Sequence, residues 1–167
     1  MAKKDKLPYR DCVGICVFNK DNKVWIGNRF GANELENSDY TWQMPQGGID
    51  ADEKPLQAAL RELYEETSIQ SVSLIREAPH WLHYDFPDHV IKAGKIGKFR
   101  GQRQRWFAFR FEGDETEIEV IRPGGGHHPQ EFEAWRWESL ANTPDLIVPF
   151  KRDVYLGVLE AFADIAD

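Results

Sequence analysis

Residues 47–69, GGIDADEKPLQAALRELYEETSI, set a glycine pair ahead of a helix in which Glu62, Glu65 and Glu66 fall within little more than one turn. Leu56, Ala59, Leu60 and Leu63 recur at three- and four-residue steps, and Pro55 stands where a first turn tolerates a missing amide. The segment therefore reads as an amphipathic helix over 53–67 whose apolar stripe must face a core. At about 100° per residue the three carboxylates share an arc of roughly 100° beside that stripe, not opposite it. Like charges at this spacing cost a few tenths of a kcal/mol per pair, and Arg61 is the only basic residue between Pro55 and Thr67. Two readings meet this pattern: an ordinary solvated acidic face, or a site for a hard cation. Mg²⁺ is the natural cation, because it takes oxygen ligands and is usually held by a few carboxylates together with waters and a substrate phosphate.

The rest of the chain supplies the core that the helix needs. The segments CVGICVF and KVWIGNR are joined by the turn-rich NKDN and read as a hairpin. QRQRWFAFRF alternates polar with aromatic until its last residues, and EFEAWRW is a further short strand. In PFKRDVYLGVLEAFADIA, Phe150, Val154, Val158, Phe162 and Ile165 repeat the helical spacing behind a proline. Strands with two flanking helices imply a layered α/β arrangement. With 167 residues, no repeat and no linker, one domain over 1–167 is expected. A hydrophobic fraction of 41% with six tryptophans suffices for a core without disulfides. Cys12 and Cys16 agree, since on one strand face they stand about 13 Å apart, too far to bridge. No stretch approaches the roughly 18 apolar residues of a membrane span, and the opening MAKKDKLPYR has no apolar run behind its basic residues, so a cytoplasmic location is expected.

A net charge of −7 argues against coating nucleic acid by bulk electrostatics. Its distribution differs: Lys92, Lys95, Lys98, Arg100, Arg103, Arg105 and Arg110 lie in a stretch with no carboxylate, followed by five acids between Glu112 and Glu119. That stretch is either a solvated loop running into a strand or a local surface for an anionic chain. GGGHH, Gly124 to His128, reads as a flexible loop and not a zinc site, because adjacent histidines chelate one ion poorly and no cysteine cluster joins them. No Gly-x-Ser-x-Gly or similar nucleophile motif occurs, which leaves water as the nucleophile of any hydrolysis.

Gly47, five residues, Glu53, seven residues and then RELYEE from Arg61 to Glu66 reproduce the spacing of the Nudix box, and the sequence resembles the Nudix hydrolase family. Every specified position of the box, 47–69, matches except Ser68, where the family has a glycine that ends the helix; a left-handed serine there costs up to about 1 kcal/mol. The resemblance implies an α/β/α sandwich with a mixed β-sheet between helices. It implies that Glu62, Glu65 and Glu66 hold Mg²⁺, with Mn²⁺ or another divalent cation able to substitute. It further implies that a backbone carbonyl at Gln46 or Gly47 completes the shell and that Glu53 and Arg61 form a structural ion pair.

The stretches YRDCVGICVFN, WQMPQGGID, WLHYDFP, GQRQRWFAFRF, EFEAWRW and PFKRDVY extend the resemblance to one branch, the RNA 5′-pyrophosphohydrolases and the similar dinucleoside polyphosphate hydrolases. On that branch Glu131 contributes to the metal site or acts as base. Arg10, Arg29, Tyr84, Phe150 and Lys151 match positions that handle phosphates or stack on the base, although Phe150 and Tyr84 equally suit core packing and Arg29 a surface. The implied activity is Mg²⁺-dependent removal of pyrophosphate or phosphate from 5′-phosphorylated RNA. Asymmetric cleavage of diadenosine tetraphosphate is the alternative, and a non-catalytic nucleotide sensor a remote one. No protein partner and no membrane association are expected.

Overall fold

The computed structural model describes residues 3–31, 39–92 and 98–166. Its elements in chain order are β1 (Tyr9–Phe18), β2 (Val24–Arg29), β3 (Trp42–Gln43), β4 (Gln46–Gly48), α1 (Pro55–Thr67), β5 (Val72–Glu77), β6 (Leu82–Asp85), α2 (Asp88–Lys92), β7 (Gly101–Phe111), β8 (Phe132–Glu138) and α3 (Arg152–Ala166). β1 and β7 pair in parallel from Tyr9 opposite Gly101 to Phe18 opposite Arg110, and every other ladder is antiparallel, so the sheet is mixed.

Alternation along β1 explains the layers. Val13, Ile15 and Val17 join Phe107 and Phe109 on one face, where they pack against Ala58, Ala59 and Leu63 of α1. Cys16, Phe18, Trp106 and Ala108 point to the other face and pack against Val154, Tyr155, Val158 and Phe162 of α3. Both faces are covered, which is why the middle of β1 and the end of β7 read as continuous apolar runs and not as alternation. Cys12 and Cys16 are buried and unbridged, as their spacing predicts. The expected α/β/α sandwich is the observed one.

The sheet opens where the chemistry-bearing residues lie. β1 and β2 are in register only at Phe18 and Val24 and then diverge. Residues 42–48 fill that wedge: β3 pairs with β2 through Gly27–Gln43 and Asn28–Trp42, while β4 pairs with β1 through Cys12–Gly48, Val13–Gly47 and Gly14–Gln46. Between them the Pro45 carbonyl accepts from the Ile15 amide at 2.9 Å. The far edge of β7 is likewise shared, with β6 along Gly101–Gln104 and β5 along Phe107–Phe111. The result brings the glycine pair of β4, the end of β2 and the short β6 to one end of the central parallel pair, where β1 and β7 begin.

Helix α1 begins as its sequence requires. Pro55 occupies the first turn, and the Lys54 amide donates to the Gln57 side chain at 3.1 Å. It ends at Ser68, whose φ of 67° is left-handed and whose amide donates to the Tyr64 carbonyl. The GGGHH segment, expected to be a flexible loop, lies in a loop that turns tightly, with the Gly126 amide donating to the Pro123 carbonyl at 3.1 Å and all three glycines at positive φ. Among the described residues no helix is long and apolar enough to cross a membrane.

Candidate active site

Arg61 organises the box. Its Nε and Nη2 bind the two oxygens of Glu53 at 2.8 and 2.9 Å, and Nη2 also donates to the Gly48 carbonyl at 2.8 Å, tying the loop between β4 and α1 to the helix. Glu53 in turn accepts from the Asp50 amide. The Arg61 hydrogen bonds hold the Glu53 carboxyl down at about 2. The remaining nitrogen, Nη1, reaches Glu62 at 2.9 Å and Glu65 at 3.2 Å, so one guanidinium serves both the loop and two of the three clustered carboxylates. That shared role is not visible in the spacing alone.

The third carboxylate stands apart. Glu66 is 8% exposed, and its Oε2 is buried with no hydrogen-bond partner. Burial pushes its carboxyl well above the usual range, reinforced by the negative charges of Glu131, Glu62 and Glu65 and opposed by the backbone of Gln46. Glu62 is also pushed up by burial, against the pull of Arg61. Glu131 immediately precedes β8, and its carbonyl accepts from the Phe30 amide at 2.8 Å, which places it beside the end of β2. Although the residue is exposed, desolvation at its carboxyl raises it, opposed by Arg29 and Lys151. The negative charges of Glu131, Glu62 and Glu65 thus act on Glu66, one of whose oxygens is buried and unsatisfied.

Such a donor set, all hard oxygens with an excess of negative charge, fits a divalent cation. Among the described residues no three acid, histidine or cysteine side chains stand, as placed, close enough together to hold a metal ion. Arg61 occupies the space between Glu62 and Glu65, and Mg²⁺ characteristically relies on waters and substrate phosphates to complete its shell. Gly47 permits the close approach of β4 to α1: a Cβ built there would stand 2.0 Å from Glu62 Cδ. Because the obstructing atom ends a flexible side chain, Gly47→Ala is expected to fold yet turn Glu62 aside. A thermal melt within a few degrees of wild type and a turnover at least about 10-fold lower check this.

The remaining sequence-selected residues lie on β1, β2, β6 and the turn before α3. Arg10 lies on β1 against Gly48, where a Cβ would meet its Nη2 at 2.3 Å. Arg29 ends β2, with Nη2 3.5 Å from the Tyr40 carbonyl. Lys151 is buried, with Nζ 5.5 Å from the Tyr84 ring and 6.0 Å from the Phe150 ring. The Tyr84 and Phe150 rings are 5.7 Å apart, and the Tyr84 hydroxyl is buried without a hydrogen-bond partner. Phe150 is half-buried and packs on the α3-side core, so the anchoring use of this ring is present in the structure. Gln46 is held by Gln104 at 2.8 Å; that buried glutamine, itself bonded to Gln102 and to the Trp106 indole, is a support the sequence reading missed.

The basic stretch changes character in three dimensions. Residues 93–97, Lys95 among them, lie outside the described residues. Arg100 binds Asp85 at 2.9 Å and lies over Tyr9, Arg103 binds Asp11 at 3.1 and 3.2 Å and lies over Trp81, and Arg105 binds Glu77. Arg110 donates to the Asn19 carbonyl and Asn22. The arginines of the acid-free run are largely neutralised by carboxylates from other strands.

The chain has known relatives in sequence and in fold. The chain is 57% identical over 163 residues to the RNA pyrophosphohydrolase of Rhizobium meliloti (strain 1021), covering 96% of this chain and 97% of the relative. It is 53% identical to the RNA pyrophosphohydrolase of Mesorhizobium japonicum, covering 98% and 95%. Among solved structures, the E. coli dihydroneopterin triphosphate pyrophosphohydrolase superposes with a TM-score of 0.65 over 94% of this chain and 99% of that one, at 17% identity, a likeness of fold. The NUDIX domain description matches residues 8–157, and with the relatives this establishes that the chain belongs to the NUDIX domain family.

Proposed function

We propose that the protein is a Mg²⁺-dependent RNA pyrophosphohydrolase that converts 5′-triphosphorylated or 5′-diphosphorylated RNA to 5′-monophosphorylated RNA. The observation that carries the reading is the buried, unpartnered Glu66 oxygen on which the charges of Glu131, Glu62 and Glu65 act, in a chain more than half identical to relatives bearing that name. Glu62, Glu65 and Glu66 would hold the cation, with the backbone at Gln46 and Gly47. When bound, the cation neutralises phosphate charge and lowers the pKa of the attacking water. Glu131 serves the cation or takes the water's proton. Arg10, Arg29 and Lys151 bind phosphate oxygens, and Tyr84 and Phe150 offer faces for the base. Release of pyrophosphate or phosphate from triphosphorylated RNA, dependent on a divalent cation, tests the reading. RNA left with its triphosphate intact under saturating Mg²⁺ would contradict it.

With the arginines of the basic stretch paired, the charges on which an RNA track is best tested are the lysines Lys95 and Lys98. Arg100, grouped with them on sequence grounds, is committed to Asp85 and Tyr9. Lys95→Gln with Lys98→Gln is expected to raise KM for RNA and to flatten its salt dependence by about 0.7 for each phosphate no longer neutralised. Hydrolysis of diadenosine tetraphosphate should stay nearly unchanged. Titrating KM against salt for both substrates checks this, and parallel changes would assign the lysines to the common polyphosphate.

A further inference from the structure

The serine that departs from the box and the GGGHH segment have no part in the chemistry above, yet they meet. The Ser68 hydroxyl donates to the Glu119 carbonyl at 3.0 Å and accepts from the Gly124 amide at 2.9 Å, and the Glu119 amide donates to the Thr67 carbonyl at 2.9 Å. The end of α1 is thereby stitched to residues 119–124. A glycine at position 68 would suit the left-handed backbone better but could make neither side-chain bond.

Gly124 is buried at a φ of 62°, and a Cβ there would stand 2.3 Å from His128 Cδ2, so the imidazole lies in the space that a side chain would fill. The ring is braced edge-on by Tyr64, with centroids 6.5 Å apart at 81°. In this pose Nδ1 faces Glu65 Oε1 at 3.9 Å, while Arg61 Nη1 holds Glu65 Oε2. The two carboxylate oxygens are approached by different cationic or donor groups. A separation of 3.9 Å is longer than a direct hydrogen bond and is of the kind that tightens when a site is filled.

We propose that His128 is a positioning residue for the cation site. It fixes the orientation of Glu65 through its ring nitrogen, which stands 3.9 Å from Oε1 and closes to hydrogen-bond length when the site is filled, and Ser68, standing in for the box glycine, clasps the loop that delivers it. Partners of this kind, which orient a ligating carboxylate without touching the ion, characteristically change metal affinity about 10- to 100-fold on mutation. The inference rests on the reading of Glu65 as a cation ligand.

The test is a direct measurement of cation binding, with Mn²⁺ as probe, by calorimetry or electron paramagnetic resonance on the free protein. His128→Phe keeps a planar aromatic ring, somewhat larger than imidazole, and removes the donor, and should raise the Mn²⁺ Kd by about 10-fold with little change in Tm. His128→Asn retains a donor near Nδ1 and should recover most of that loss. Ser68→Gly should raise Kd in the same direction, less strongly, since relief of the left-handed serine offsets the lost hydrogen bonds in overall stability. A Kd unchanged in His128→Phe, or an equal loss in the Phe and Asn variants, overturns the proposal by assigning His128 to packing. If the wild-type protein binds no Mn²⁺, the cation reading of the glutamates fails, and the role of His128 with it.

Discussion

Glu66→Gln is expected to lower kcat by at least about 10²-fold, the scale of losing one preorganised electrostatic group, while the protein remains folded. The substitution keeps the shape of the side chain and removes a charge that the fold itself does not need. Glu66 is buried, its Oε2 is unpartnered, and its neighbours Glu131, Glu62 and Glu65 repel it. In the absence of divalent cation the variant should therefore melt higher than wild type near neutral pH. The sign follows from linkage: a carboxyl raised on folding favours the folded state when protonated, and that contribution is lost as pH rises through the raised value. The gain in Tm should accordingly shrink as pH falls toward about 4.3, the ordinary glutamate value. Measuring kcat with Mg²⁺ as the only cation, and Tm in chelator across pH, checks both halves. Near-normal turnover in Glu66→Gln would remove this residue from the chemistry.

Arg61→Ala should damage stability and activity together. It leaves Glu53 without its bidentate partner, frees the Gly48 carbonyl and releases Glu62 and Glu65 to repel each other. Breaking a fully buried pair costs about 3–5 kcal/mol; with the Arg61 side chain 27% exposed, about 2 kcal/mol is the expected loss, or roughly 4–8 °C in Tm for a chain of this size. The Glu53 contribution is present above the ordinary glutamate pKa and lost as pH falls through about 2, so the difference between wild type and Arg61→Ala should narrow in acid. Glu65→Gln, by contrast, should reduce turnover with little effect on Tm, because it weakens only the 3.2 Å hydrogen bond from Arg61 and the longer 3.9 Å contact with His128. Equal destabilisation by the two substitutions would show that structural and chemical roles are wrongly divided between them.

Much of this was legible in the chain because local signals coincide with long-range need. Pro55, the leucine spacing and the glutamates specify α1 and its acidic edge together. The middle of β1 and the end of β7 read as strands because both faces are buried. β3 and β4, at two and three residues, carry no periodicity; they exist because β1 and β2 diverge and leave a wedge to fill. The neutralisation of Arg100, Arg103 and Arg105 depends on Asp85, Asp11 and Glu77, which only the sheet brings near. Ser68 was legible as a left-handed helix end, but its partners lie 51 and 56 residues away, at Glu119 and Gly124. For the same reason GGGHH reads as a loose loop until α1 is set beneath it. Local composition describes the glycines correctly and says nothing of the imidazole ring that fills the space beside Gly124.

The most direct measurement is product analysis with 5′-triphosphorylated RNA and diadenosine tetraphosphate side by side, under Mg²⁺ and under chelator. The predicted result is 5′-monophosphorylated RNA at the higher kcat/KM, any diadenosine tetraphosphate turnover yielding ATP and AMP, and no product from either in chelator. Hydrolysis of diadenosine tetraphosphate with triphosphorylated RNA left unchanged would contradict the assigned substrate, and absence of product from both would contradict the assignment of the glutamates to phosphoanhydride hydrolysis.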